Sequence, residues 1–172
     1  MNTQNLLRIT VAAAGFAWAT TSGYATKTAD ASPTASAKPS AQPDSRTAAL
    51  CDVIQTYQTA LNAKNVNAVL ALYSSDPIFI PEFSPAVVGL DGVRAAYQSV
   101  FATIDFDIRF EIHELQQAGD WAWVRTTSAG TTVILASGAE VPEGNNELFV
   151  LHREHGAWKI HRYQFATNLP RT

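Results

Sequence analysis

Apolar residues Val53, Ile54, Tyr57 and Leu61 recur at three- and four-residue spacing, followed by Val66, Val69, Leu70 and Tyr73. This spacing predicts a helix from about Arg46 or Thr47 to Ala63, with Ser45 as its cap, and a second from about Val66 to Tyr73, capped by Asn65. Lys64-Asn65 is the break between them. Ser74-Ser75-Asp76-Pro77 stops the second helix, because Pro77 disfavours a helical Asp76. Ile78-Phe79-Ile80 reads as a short strand and Pro81 to Pro85 as a rigid loop. Asp91 then caps a third helix reaching Thr103, with Val93, Ala96, Tyr97, Val100 and Phe101 on one face.

The period changes after Thr103. Phe106, Ile108, Phe110 and Ile112 alternate with Asp107, Arg109, Glu111 and His113, the pattern of an antiparallel strand with one wet face. Trp121 to Leu135 is a second long strand, with Gly130 as a kink. Pro142 to Asn146 leads into a strand ending at His152, and Trp158 to Thr167 is the last. Leu148 to Leu151 is apolar without alternation, so that strand is expected to be buried on both faces. On the last strand His161, Tyr163 and Phe165 share one face, and Trp158, Ile160, Arg162 and Gln164 the other. Both sets look partly buried, which a bulge that swaps faces would explain. The expected fold class is α+β, with three N-terminal helices packed on a curved, mainly antiparallel sheet.

The chain has 172 residues, enough for one domain, placed at 47–169. Ile9 to Ala19 is an apolar run too short to span a bilayer and suited to a signal-peptide core, with Gly23-Tyr24-Ala25 as a small-x-small cleavage site and Ala29-Asp30-Ala31 as a second. Residues 1–25 are therefore expected to be a signal peptide, and the protein to be periplasmic or secreted. Residues 26–46, rich in Ser, Thr, Ala and Pro, cannot build a core and read as a disordered linker. The mature chain is expected to carry no transmembrane anchor. The net charge of −3, without a basic stripe, disfavours nucleic-acid binding. Cys51, the single cysteine, excludes an internal disulfide and reads as a small hydrophobe.

The order of these elements resembles the nuclear transport factor 2-like superfamily, which includes ketosteroid isomerase and the SnoaL-like cyclases. The residues from Asp120-Trp121 to Ala129-Gly130, Asn146 to Val150 and Gly156 to Ile160 look closest to the SgcJ/EcaC family. The resemblance implies a cone with a pocket at its open end, and dimerisation through the exposed face of the sheet. It also implies acid–base chemistry like that of ketosteroid isomerase: a carboxylate base, and a tyrosine plus a protonated carboxylic acid that hold the developing enolate. Tyr57, in V-I-Q-x-Y, stands where that tyrosine would. Glu147 is the candidate for the second acid. At the expected base position the chain has Ile80-Pro81, with Glu82 one residue on.

Trp123 and Arg125 share a face with Trp121 and Thr127 by period two. If that face lines the cavity, Arg125 is its main cation, pairing Glu147 or holding a ligand oxygen. Beside Arg125, Glu147 stays ionised; buried without a cation it is partly protonated. Tyr57 equally fits a core tyrosine whose hydroxyl finds a partner. His113 reads as solvated. His152 and His161 could face each other across strands, but nothing supplies a third ligand, so no metal is expected. No G-x-G-x-x-G follows a strand and no cofactor is expected.

Two functions follow. In the first, Phe79, Tyr97, Phe101, Trp123, His161, Tyr163 and Phe165, with Glu82, enclose a small apolar carbonyl ligand. Tyr57 donates to its oxygen, Arg125 stabilises negative charge, and Glu147 or Glu82 moves the proton. In the second, the chain is a non-catalytic homodimeric binding or association module.

Overall fold

The computed structural model describes residues 45–170. The expected signal peptide and residues 26–44 of the expected linker lie outside the described residues. The elements are α1 (Ser45–Asn62), α2 (Val66–Leu72), β1 (Tyr73–Ile80), β2 (Val87–Val88), α3 (Gly89–Phe101), β3 (Ile104–Ala118), β4 (Trp121–Ile134), β5 (Ala139–Glu154) and β6 (Ala157–Thr167). The strands form one six-stranded sheet in the order β2-β1-β6-β5-β4-β3. Only the β1–β6 pair is parallel; the others are antiparallel. The α+β architecture, helices on a curved and mainly antiparallel sheet, is the one expected. No described helix is long and apolar enough to cross a membrane.

Local chemistry explains most boundaries. Asn65 caps α2, its Oδ1 accepting the Ala68 N–H at 3.0 Å. The break before it turns on Lys64 at φ 50°. Several boundaries differ from expectation, most of all that of β5, which begins at Ala139 although 142–146 was expected to be only its lead-in. Helix α1 already includes Ser45. Strand β1 begins at Tyr73, because Ser74 to Pro77 continue as an irregular strand against β6 instead of a loop. Helix α3 starts at Gly89, two residues before Asp91, and Val88 at its N-cap offers no side-chain acceptor.

One face of the sheet packs on the helices. Leu50, Ile54 and Tyr57 of α1, Val69 of α2, and Val93 and Tyr97 of α3 meet Val124, Phe149, Leu151, Ile160 and Tyr163 in one buried core. Strand β5 alternates, with Phe149 and Leu151 fully buried and Leu148 42% exposed. The expectation that it is buried on both faces is therefore corrected: helices cover only one side of the sheet. In β6 the register slips between Ile160 and Arg162 opposite Leu151 and Val150. This irregularity lets Trp158, Ile160 and Tyr163 all turn inward.

Two features hold β3 and β4 in place. A Cβ on Gly130 would lie 2.0 Å from the Asp107 carbonyl oxygen, so only glycine lets β3 pass so close. On the free edge of β3, α1 supplies side chains where a strand would supply backbone. Asn62 Nδ2 donates to Ile108 O at 2.9 Å, Asn62 Oδ1 accepts from Ile108 N at 3.2 Å, and Gln58 Oε1 accepts from Phe110 N at 2.8 Å.

Candidate active site around Glu147

Strand β5 sends every second side chain inward from Glu143: Glu143, Asn145, Glu147, Phe149 and Leu151. Glu147 is 4% exposed and is the only acidic side chain among the buried described residues. Its partners are hydroxyls. Thr126 Oγ1 donates to Oε2 at 2.6 Å, Ser128 Oγ to Oε1 at 2.9 Å, and the Tyr163 phenol to Oε1 at 3.3 Å. Thr126 and Ser128 come from β4, where Glu147 and Asn145 are their respective cross-strand partners.

Two effects compete at this carboxyl. Burial disfavours the carboxylate, while the three hydroxyls stabilise it. Burial wins, with a smaller push from Glu143, and the carboxyl is raised from 4.5 to about 7. Among the described residues no cation is paired with it to offset the loss of water.

Tyr163 belongs to a group of buried phenols. Tyr57 and Tyr97 share a hydrogen bond of 2.5 Å, and Tyr97 and Tyr73 one of 2.9 Å. The Tyr57 ring meets that of Tyr163 edge-on at 5.3 Å, and Tyr163 stacks on Phe149 at 4.3 Å. Burial raises all four phenols well above the ordinary tyrosine range, so each is a neutral donor at neutral pH. Phe79 stacks on Tyr97, Tyr163 and Phe165, and Phe101 packs against Tyr97. Tyr57, Glu147, Phe79, Tyr97, Phe101, Tyr163 and Phe165 therefore come together in the interior.

Four other candidates do not join them. Arg125 is exposed and reaches Glu114 at 3.5 Å; its cross-strand neighbour is Leu148, so it faces away from Glu147. Trp123 shares that outer face, beside Val150. The β4 face with the small set Ala122, Val124, Thr126 and Ser128 turns to the helices, and the bulky set Trp121, Trp123 and Arg125 turns out. His161 also lies on the outer face, its ring against Trp121, with Nδ1 3.1 Å from Ser74 Oγ and 3.4 Å from Asp76 Oδ1. Burial, then the charge of Arg162, hold its imidazole below the ordinary range. Glu82 accepts the Thr167 N–H at 2.8 Å, tying the β1–β2 loop to the end of β6.

The rings of His152 and His161 stand 5.8 Å apart. Among the described residues no group of three or more His, Cys, Asp or Glu is arranged to hold a metal.

Thr126, Ser128, Asn145 and Glu143 were not among the sequence candidates. The signal for them is the alternation T-x-S in β4 and E-x-N-x-E in β5, which puts polar residues in the same inward register as the apolar Ala122, Val124, Phe149 and Leu151.

The chain is similar to several solved proteins. A ketosteroid isomerase-like protein from Erwinia carotovora atroseptica is 35% identical with a TM-score of 0.70, the match covering 74% of this chain and 99% of that one. A candidate aromatic ring hydroxylase from Novosphingobium aromaticivorans matches at 24% identity and TM-score 0.63, over 72% of this chain and 89% of that one. A candidate dehydratase of the NTF2-like family from Streptomyces avermitilis matches at 16% and 0.65, over 74% and 100%. At those identities the last two show the fold alone. No curated protein sequence matches the chain significantly. The SnoaL-like domain model matches residues 53–161, most of the described domain. The chain belongs to the SnoaL-like domain family, with the NTF2-like fold.

Proposed function

We propose that this chain is an exported small-molecule-binding protein whose cone takes an apolar, carbonyl-bearing ligand and moves a proton on it through Glu147. The observation that carries this reading is a buried carboxyl raised to about 7 with hydroxyls and no cation around it. Such a group is half ionised near neutral pH, where a general base and its conjugate acid are both available. The carboxylate would take a proton from the carbon beside the ligand carbonyl. A phenol among Tyr57, Tyr97 and Tyr163 would donate to the oxygen as it becomes an enolate. Glu147 would then return the proton to a second carbon, giving an isomer; where the enolate carbon instead attacks a second carbonyl carbon of the same ligand, the ring closes and Glu147 gives the proton to the alkoxide so formed. Glu82 and Arg125 have no part in this scheme.

The name of the Erwinia relative, ketosteroid isomerase-like, agrees with this chemistry. Within the superfamily we assign the chain to the SgcJ/EcaC branch on the segments from Asp120 to Gly130 and from Asn146 to Val150. Export rests on the apolar run Ile9 to Ala19 and the site at Ala25.

A second reading, a non-catalytic dimeric module, has its own support. The phenols and Glu147 are hydrogen-bonded within the protein. The outer face of the sheet also exposes Trp121 and Leu148, at 44% and 42%. The deciding experiment is thermal stability of the purified protein with a panel of apolar carbonyl compounds, repeated with Tyr57→Phe and Glu147→Gln. A ligand that raises the melting point of the parent and not of the variants supports the acid–base site. No shift with any compound, together with a dimer in solution, favours the module.

A further inference from the structure

A ladder of polar groups continues from Glu147 back toward the start of β5. Asn145 Nδ2 donates to Ser128 Oγ at 3.3 Å and to Glu143 Oε1 at 2.8 Å. Glu143 Oε2 accepts from Thr132 Oγ1 at 3.1 Å. Glu143 lies opposite Gly130, where no side chain stands between it and Thr132. Asn145 is 7% exposed and Thr132 3%, whereas Glu143 is only half-buried and reaches solvent. Two carboxyl groups are thus joined by Asn145 and Ser128.

We propose that Asn145 and Glu143 are positioning residues for Glu147: Asn145 aims the Ser128 hydroxyl, and Glu143 sets the charge at the outer end of the ladder. This rests on the reading of Glu147 as the proton-carrying group.

A serine hydroxyl has one proton and two lone pairs. When Asn145 donates to Ser128 Oγ, the Ser128 proton turns toward Glu147, which favours the carboxylate. Without that amide the hydroxyl is free to rotate and accept from a protonated Glu147. Asn145 is in turn held by the Glu143 carboxylate. That second negative charge acts in the opposite sense, since two carboxylates on one ladder resist ionising together. The other titratable groups facing Glu147 are Tyr163 on β6, Tyr57 on α1 and Tyr97 on α3, all neutral near pH 7. Among the described residues Glu143 is accordingly the charged group that acts on it.

The test is the titration midpoint of the Glu147 carboxyl carbon by nuclear magnetic resonance, with the signal identified by its loss in Glu147→Gln. Glu143→Gln keeps an oxygen acceptor for Asn145, turns an NH2 toward the Thr132 hydroxyl, which can rotate to accept from it, and removes the charge, so the midpoint falls. Glu143→Asp restores the charge and returns the midpoint toward the parent value. Asn145→Leu removes the amide at similar volume, and the midpoint rises. Simple loosening of the site admits water and lowers the midpoint in every variant, so the opposite signs exclude a merely structural role. An unmoved midpoint in Glu143→Gln, or an equal fall in Glu143→Asp and Asn145→Leu, overturns the inference. A parent midpoint in the ordinary carboxylate range instead overturns the reading of Glu147 itself.

Discussion

Thr126 and Glu147 are cross-strand partners on β4 and β5, and the threonine hydroxyl donates to the carboxylate at 2.6 Å. It is the shortest of the three hydroxyl contacts to that group. Removing it should strengthen the hold of Glu147 on its proton. Thr126→Val keeps shape and drops the donor, so the midpoint of Glu147 should move up from about 7. Infrared titration of the carboxyl band checks this; a midpoint that stays or falls contradicts the role of Thr126.

The raised carboxyl has a cost in stability whose sign is fixed. In the unfolded chain Glu147 ionises near 4.5, and in the native state near 7. Between these values the native state binds more protons, so this group's contribution to stability falls as pH rises through the window and levels off above it. A difference of that size corresponds to about 3 kcal/mol. Glu147→Gln should therefore gain stability over the parent from pH 4.5 to 7, with a constant offset beyond. Chemical denaturation across that range measures it. Parallel curves for the two proteins would mean that Glu147 titrates normally.

Tyr97 is the middle phenol, bonded to both Tyr57 and Tyr73. Tyr97→Phe strips a partner from two buried hydroxyls, whereas Tyr73→Phe strips one. At about 1–3 kcal/mol for each buried polar group left without a partner, the first should cost roughly 2–6 kcal/mol; in the second Tyr97 keeps its bond to Tyr57, so the cost should be nearer that of one hydrogen bond, about 1 kcal/mol. The double variant should cost less than the sum, because the two residues share one bond.

Gly130→Ala should be among the most damaging single-methyl changes in the chain. The new Cβ meets the backbone of Asp107, which cannot swing aside as a side chain does. Loss of several kcal/mol, on the order of 3 kcal/mol or more, is expected as β3 is pushed off β4. Melting temperature and amide exchange at Ile108 report it.

Much of the fold was legible because periodicity changes sharply at Thr103, from three-to-four to two. Asn65 was legible as a cap because its side chain and position leave it one role. The boundaries that slipped were those set by tertiary pairing. Tyr73 to Pro77 is strand only because β6 lies beside it, and Asp91 was read as a cap where backbone geometry alone starts α3. In the site, Tyr57, Tyr97, Tyr163, Phe165 and Glu147 were readable as apolar-face or buried-strand residues. Arg125 and Trp123 were misplaced because alternation gives two faces without saying which is inside. In the folded sheet the inward register of β4 belongs to Ala122, Val124, Thr126 and Ser128. The ladder from Glu143 was missed for the same reason, since it becomes visible only once the inward register is known.

The docking of α1 on β3 has a consequence for how the chain stays soluble while it folds. Strand β3 is fifteen residues long, amphipathic, and at the sheet margin. Gln58 and Asn62 occupy its outward backbone groups at Ile108 and Phe110. A chain whose sheet has formed but whose first helix has not yet seated presents a long bare margin on which other chains can add. Refolding yield should then depend less on the strength of the sheet than on how early α1 arrives, so that two amide side chains on a helix guard the molecule against fibrous self-association.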